Sequence, residues 1–235
     1  MRIAAMADIH FSPQSYDRIR EPMGHVRDDA DVLVIAGDLT NYGKPEEIES
    51  LLNALVRLRI PIIAVLGNHD YESGRVDEVM KLLTSEGVKM LDGSEYERDG
   101  VGFAGCKGFH GGLGRGVLTA FGEPEVKAFV QASMDEAMKL ERALSMLRTE
   151  KRVVVTHYAP VPDTVKGEPQ EIYTYLGCSR FAEIIDRHGA NIAFHGHAHH
   201  GSPDGKTVGG VPVHNVALQL NVQRDGGKPY RVFDV

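Results

Sequence analysis

Short apolar runs in this chain end, one after another, in residues that bind metal ions. Residues 3–7 run into Asp8 and His10, and residues 32–36 run into Gly37-Asp38. Residues 62–66 lead to Gly67-Asn68-His69-Asp70, residues 153–155 to Thr156-His157, and residues 192–194 to His195-Gly196-His197-Ala198-His199. Apolar runs of this length, rich in Val and Ile, read as buried strands. In open α/β sheets, ligands bind just beyond the carboxyl ends of the strands. If these strands share a face, their oxygen and nitrogen donors converge on one spot. The donors outnumber what one metal ion needs, so the pattern asks for two.

The segments between the runs set the architecture. Helices are expected over 17–29, from Pro45 onward with Leu51, Leu52, Leu55 and Leu58 on one face, and over 75–85, where Gly87 stops the turn. The resulting βαβαβ alternation calls for parallel strands joined by right-handed crossovers. The pattern then changes. Residues 88–91, 95–98 and 101–105 read as short strands joined into hairpins by Asp-Gly pairs. Residues 108–122 are glycine-rich. A long helix is expected over 124–148, its core face marked by Leu140, Leu144 and Leu147 and continued by Met134 and Met138. Residues 106–150 together read as a glycine-rich loop plus a helical insertion. A strand over 152–156, a Pro-rich loop over 159–169 and a helix over 179–188 follow. Residues 211–216, 218–223 and 230–235 look like a closing antiparallel meander. At 235 residues, the whole fits a single domain.

Charge narrows the partners. The formal net charge is −7 and no run of Lys and Arg could track a phosphate backbone, so nucleic acid is not the expected partner. A small anionic substrate remains compatible, because bound metal supplies its own positive charge. The two cysteines, Cys106 and Cys178, give no disulfide framework and suit a reducing compartment. No stretch is long enough to span a membrane, and the apolar run after Arg2 is too short for a secretory leader. The expectation is a cytoplasmic protein without a membrane partner.

Each ligand type has a chemical reason. Asp8 and His10, two apart past a strand, can point to one side and grip one cation. The two oxygens of Asp38 can bridge a metal pair. Gly37 permits a tight approach that a bulkier residue would block. Asn68 offers a neutral amide oxygen. His69 can face the substrate as a general acid, with Asp70 hydrogen-bonding or electrostatically favouring its protonated form. His157, His197 and His199 add imidazoles. The remaining histidines read as structural, although His195 and His200 flank ligands as candidate outer partners and His110 lies in the glycine-rich loop, within reach of substrate. Arg115 and Arg180 are the arginines on loops that could grip a phosphate, and Tyr158 and Tyr173 could line the groove.

In order and spacing, Asp8-x-His10, Gly37-Asp38, Gly67-Asn68-His69-Asp70, His157 and Gly196-His197-x-His199 resemble the calcineurin-like metallophosphoesterase superfamily. The resemblance spans Asp8 to His199 and fills every signature position. It implies a four-layer α/β/β/α sandwich with mixed sheets. It also implies one metal held by Asp8, His10, Asp38 and His199 and another by Asp38, Asn68, His157 and His197. His69 matches the family's substrate-protonating histidine. Two divalent ions with Asp8 and Asp38 leave a seat of about +2 for a phosphoester. A hydroxide bridging the metal pair is the implied nucleophile. With no cysteine among the donors, Mn, Fe, Zn or Ni suits the site. The activity this suggests is hydrolysis of a small phosphodiester. The alternatives are a phosphomonoesterase or protein phosphatase, which would want an extra cationic clamp on the dianion, and a nuclease, which would want a basic groove. A catalytically dead binding scaffold should have lost ligands, and none is lost here.

Overall fold

The computed structural model describes residues 1–12, 23–224 and 227–235. Two sheets carry the fold. The first has the strand order β11-β1-β2-β3-β4, built from β1 (Arg2–Met6), β2 (Val32–Ala36), β3 (Ile62–Val65), β4 (Lys89–Met90) and β11 (Arg231–Asp234). The second has the order β5-β6-β7-β8-β10-β9, built from β5 (Ser94–Arg98), β6 (Val101–Gly105), β7 (Lys151–Val155), β8 (Ile192–His195), β9 (Asp204–Lys206) and β10 (Pro212–Asn215). β1 to β4 run parallel, as do β6, β7, β8 and β10. Antiparallel strands close the edges: β11 on β1, β5 on β6 and β9 on β10.

The period-two alternation of strand side chains sorts the apolar residues into layers. Ile63, Val65, Val153, Val155 and Phe194 point between the sheets and pack into one core. Leu33, Ile35 and Ala64 point the other way, against α2 (Pro45–Leu55) and α3 (Val76–Ser85). On the far side, Ala104, Val154 and Ala193 pack against α4 (Pro124–Met146) and α6 (Arg180–Arg187). The sequence of layers is therefore α/β/β/α, as the resemblance implied. α2 starts as its sequence suggests. Pro45 takes a first-turn position, and the Glu47 carboxylate accepts from the backbone N–H groups of Tyr42 and Lys44 at 3.0 and 3.2 Å.

Several local expectations change. Of the two Asp-Gly pairs read as hairpin signals, one makes a hairpin: Asp99 and Gly100, both at positive φ (48° and 80°), turn β5 into β6. The Asp92-Gly93 pair instead carries the chain from the first sheet to the second, because β4 pairs parallel with β3. Residues 106–150 join β6 to its parallel neighbour β7, so α4 is the crossover helix of that pair and forms part of the outer layer. The buried stripe of α4 runs through Val130, Ser133, Ala137, Leu140 and Leu144, with small residues where it nears the sheet. Met134 and Met138 lie beside that stripe and are exposed. The closing meander does not form. β10 pairs parallel with β8, residues Leu218–Arg224 form a helix (α7), and β11 returns to the other sheet. Asn221 explains the helix: its buried amide donates to the carbonyls of Val216 and Pro229 at 2.9 and 3.0 Å. Of the helix expected over 17–29, α1 (Val26–Asp29) is observed, while residues 17–22 lie outside the described residues.

This topology puts the carboxyl ends of β1, β2 and β3 beside those of β7 and β8. Every run singled out in the sequence ends at that edge.

Candidate metal centre

The turns after the strands are sharp. Asp8, His10, Asp38 and His197 all have positive φ (56°, 44°, 50° and 68°), an uncommon conformation for residues with a Cβ. They hold it because the loops cross-link. Asp8 N–H donates to the Gly37 carbonyl and His10 N–H to the Asp38 carbonyl, each at 3.0 Å. Gly37 is required by contact: a Cβ there would sit 2.4 Å from His157 Nδ1. Gly67 is equally constrained, since its Cβ would meet Asp38 Oδ1 at 2.1 Å.

The donors fall into two groups. Asp8, His10, Asp38 and His199 form one, and Asp38, His157 and His197 the other, with one donor atom per residue and the atoms of each group within 4.8 Å of one another. Asn68 joins the second group, its Oδ1 lying 2.9 Å from His157 Nε2. Asp38 belongs to both.

The fit to metal rests on donor atoms that face one another across short gaps. His157 Nδ1 donates to the Ala36 carbonyl at 3.0 Å, so its Nε2 carries a lone pair toward Asn68 Oδ1 and toward Asp38 Oδ2, which is 3.4 Å away. His197 Nε2 donates to the Tyr175 carbonyl at 3.2 Å, which leaves its Nδ1 as the donor atom for a metal. His10 Nε2 stands 3.2 Å from His199 Nε2 and 3.8 Å from Asp38 Oδ2. Asp38 Oδ2 is buried with no hydrogen-bond partner among the described residues. Donor atoms gathered in this way could hold cations between them.

The charges agree. Burial holds His157 and His197 well below the ordinary imidazole range, and burial lowers His10 to about 4 although Asp8 pulls it back up. Neutral imidazoles are the form that binds metal. His199 is held up instead: burial lowers it, but its bond to Asp8 (3.1 Å) and the Asp8 charge outweigh that. The carboxyl of Asp38 is pushed well up by burial, then by the charges of Asp8 and Asp70. A cation beside it would remove that penalty.

His69 adjoins the donors, its ring 4.4 Å edge-on from that of His10. The orienting partner differs from the one expected. His69 Nδ1 donates to the Asn41 carbonyl at 2.8 Å. Asp70 is fully buried and spends its oxygens on loop backbone: Oδ1 accepts from Thr40 N–H (2.9 Å) and Oγ1–H (2.6 Å), and Oδ2 from Gly67 N–H (2.8 Å) and Leu39 N–H (3.3 Å). It fixes the loops; it does not bond the imidazole.

The expected substrate residues separate. His110 reaches the centre: Nδ1 donates to the same Tyr175 carbonyl at 2.6 Å, and the ring lies 6.4 Å from that of His197. Arg115 sits exposed on the short turn Gly114–Gly116. The Arg180 guanidinium donates to the Leu118 carbonyl at 2.7 Å and holds the glycine-rich loop, in place of a substrate phosphate. Tyr158 lines the centre, with its ring 4.5 Å from that of His197. Tyr173 instead opens the short helix α5 (Tyr173–Leu176) and packs in a satellite cluster with Leu176 and Val165. Sequence reasoning passed over the Asn41 and Tyr175 carbonyls, which as backbone atoms have no residue signature. It also passed over Lys107, whose ammonium stands over the Tyr158 ring at 5.2 Å.

Two stacked mixed sheets with His, Asp and Asn donors gathered at their strand ends have the layout of a metallophosphoesterase. The profile of the calcineurin-like phosphoesterase family matches residues 1–201, and the chain belongs to that family. Over 82 residues the chain is 29% identical to the glycerophosphodiester phosphodiesterase GpdQ of Enterobacter lignolyticus (strain SCF1); the match covers 30% of this chain and 30% of that relative. A crystal structure of a hypothetical protein from Thermus thermophilus superposes with a TM-score of 0.53 at 16% identity, covering 100% of this chain and 89% of the other. A putative 5'-nucleotidase from Staphylococcus aureus superposes with a TM-score of 0.55 at 16% identity, over 91% of this chain and 48% of that one. At such identities the structural likeness is one of fold. Among the described residues no helix is long and apolar enough to cross a membrane.

Proposed function

We propose that the protein hydrolyses a small phosphodiester using two divalent metal ions, with His69 as general acid. The observation that carries this reading is Asp38: one buried carboxylate shared by two donor groups, with an unpartnered oxygen facing His10 on one side and His157 on the other. Asp8, His10, Asp38 and His199 would hold one ion, and Asp38, Asn68, His157 and His197 the other. Bound there, divalent ions acidify a water molecule and polarise phosphoryl oxygens. The N/O donor set suits Mn, Fe, Zn or Ni.

The chain's own residues do the rest. The Asn41 carbonyl fixes the His69 ring through Nδ1–H, so the proton that moves is the one on Nε2. As water adds to phosphorus and the ester P–O bond breaks, His69 delivers that proton to the departing alcohol oxygen. Asp70 and Thr40 keep the His69 and Asp38 loops in register.

A diester is favoured over a monoester because neither Arg115 nor Arg180 joins the donors as a clamp for a dianion. The relative GpdQ, which is named for a phosphodiester, points the same way. The test compares bis-p-nitrophenyl phosphate with p-nitrophenyl phosphate after chelation and after Mn²⁺ is restored. The expected result is diester hydrolysis that disappears with the metal and returns with it. Activity that survives exhaustive chelation refutes the metal reading, and a preference for the monoester refutes the diester assignment.

A further inference from the structure

A row of rings leads outward from one of the metal donors. The Tyr158 ring lies 4.5 Å from that of His197, centre to centre, and the His110 ring 6.4 Å from it. His110 in turn meets Tyr175 edge-on at 5.8 Å. Along this row exposure rises: Tyr158 is buried, His110 half-buried and Tyr175 exposed.

Tyr175, in the short helix α5, is tied to the centre by its own backbone. Its carbonyl takes the His197 Nε2–H at 3.2 Å and the His110 Nδ1–H at 2.6 Å. The ring is thereby held within one side chain's length of a donor residue. It is 55% exposed, and among the described residues it meets one other ring, that of His110. Ile172, three residues earlier on the adjoining 3₁₀ turn, is exposed as well. An exposed tyrosine alone means little. This one ends a continuous aromatic wall that starts at His197.

The wall is rigid behind Tyr175. The His110 ring stacks on Phe129 at 5.8 Å with the planes 12° apart, and it meets Phe109 edge-on at 4.6 Å. Its Nδ1–H is spent on the Tyr175 carbonyl, and its Nε2 faces the Tyr158 hydroxyl at 3.4 Å. His110 therefore shapes the wall and keeps no N–H for a ligand. The phosphate of an ester belongs among the donors, so the body of the ester must leave along a wall of the centre. Flat ring faces suit a planar group, which stacks on them over a wide area.

We infer that Tyr175 is a specificity-determining residue: its exposed ring stacks on an aromatic group, a nucleobase or an aryl ring, carried by the phosphoester. The inference rests on the reading of the centre as a phosphoester site. It does not depend on which residue protonates the leaving group.

The test uses adenosine 5'-monophosphate and ribose 5-phosphate, which share a phosphate and a ribose and differ in the base. Monoesters are what a diesterase releases, so both suit the centre. Calorimetric titration of the Mn²⁺-loaded wild type should show the nucleotide binding about tenfold tighter or more. Tyr175→Phe keeps the ring and should keep this preference within about twofold. Tyr175→Leu keeps apolar bulk without a ring and should cut the preference to about twofold or less. Both variants retain the carbonyl that holds His197, and elemental analysis should find their metal content equal to that of wild type. Tyr175→Trp gives a direct readout, because the chain has no other Trp. Its emission should change with the nucleotide and stay unchanged with ribose 5-phosphate. Equal affinity for the two ligands in wild type overturns the inference, as does a preference that survives in Tyr175→Leu or a Trp emission that responds to both ligands alike. Loaded protein that binds neither ligand overturns the phosphoester reading itself.

Discussion

Asp70 Oδ1 takes two hydrogen bonds from Thr40, one from the backbone N–H at 2.9 Å and one from the hydroxyl at 2.6 Å. Through this pair the loop that carries Asp38 is fastened to the loop that carries His69. Asp70 therefore acts on chemistry by position. Replacing it with Ala leaves the N–H groups of Leu39, Thr40 and Gly67 buried and unsatisfied, which should cost about 3 kcal/mol or more of stability. Chemical denaturation of the metal-free protein measures this. Thr40→Val removes the hydroxyl's bond to Asp70 and the one it accepts from Gly43 N–H, and should cost about 2 kcal/mol. Equal losses in the two variants would show that Asp70 is not the anchor.

Asp38 gives a prediction in which the sign changes with metal. Without metal, its charge is penalised by burial and by Asp8 and Asp70. Metal-free Asp38→Ala should therefore be at least as stable as metal-free wild type. With metal the order reverses, because binding to the native state alone stabilises it. The variant should lose both ions together. Melting curves with and without Mn²⁺, with elemental analysis of the same samples, check both halves; two ions per chain in the variant would remove Asp38 from the shared position.

His69→Asn should keep the metal content and lose turnover. An acid that protonates the leaving oxygen contributes about 10²- to 10⁴-fold, and most where the alcohol is a poor leaving group. The loss should therefore be larger on an alkyl diester than on a p-nitrophenyl one, whose phenolate leaves without help. Steady-state kcat on the two esters, with metal held saturating, decides this. A uniform loss on both would mean that His69 orients substrate and does not protonate it.

What was legible in the sequence was local. Each strand and the candidate donor behind it sit within a few residues, so Asp8, Asp38, Asn68, His157 and His197 could be read as candidates from short runs, and their shared edge followed from parallel topology. What was hidden depends on contacts between distant segments. Leu218, Leu220 and Val222 alternate as a strand would, yet helix α7 forms because Asn221 is held by carbonyls at Val216 and Pro229. Asp70 follows His69 in sequence and suggested a direct pair, but the turn Asn68–Tyr71 sends its carboxylate back toward Leu39 and Thr40. Lys107 is a lone lysine without a pattern. The aromatic rings around its ammonium, Tyr71, Phe109 and Tyr158, come from three loops.

Acid sensitivity should trace in part to His195. Its ring is fully buried between the Gly196 carbonyl, 2.8 Å from Nδ1, and Thr164 Oγ1, 2.7 Å from Nε2, and burial lowers its pKa to about 4. Unfolded, the same imidazole titrates at about 6.5. Between those values the unfolded chain holds a proton that the native state refuses, so native stability is full above about pH 6.5 and declines as pH falls toward 4. The native state gives up about 2–3 kcal/mol through this group between roughly pH 7 and 4.5. His10, also lowered to about 4, adds a similar slope in metal-free protein. His195→Gln lowers stability at neutral pH by breaking the two bonds, yet it should flatten the decline toward acid. Urea unfolding of metal-free wild type and variant at both pH values separates the two effects, because an unchanged slope would mean that His195 stays neutral or charged in both states alike.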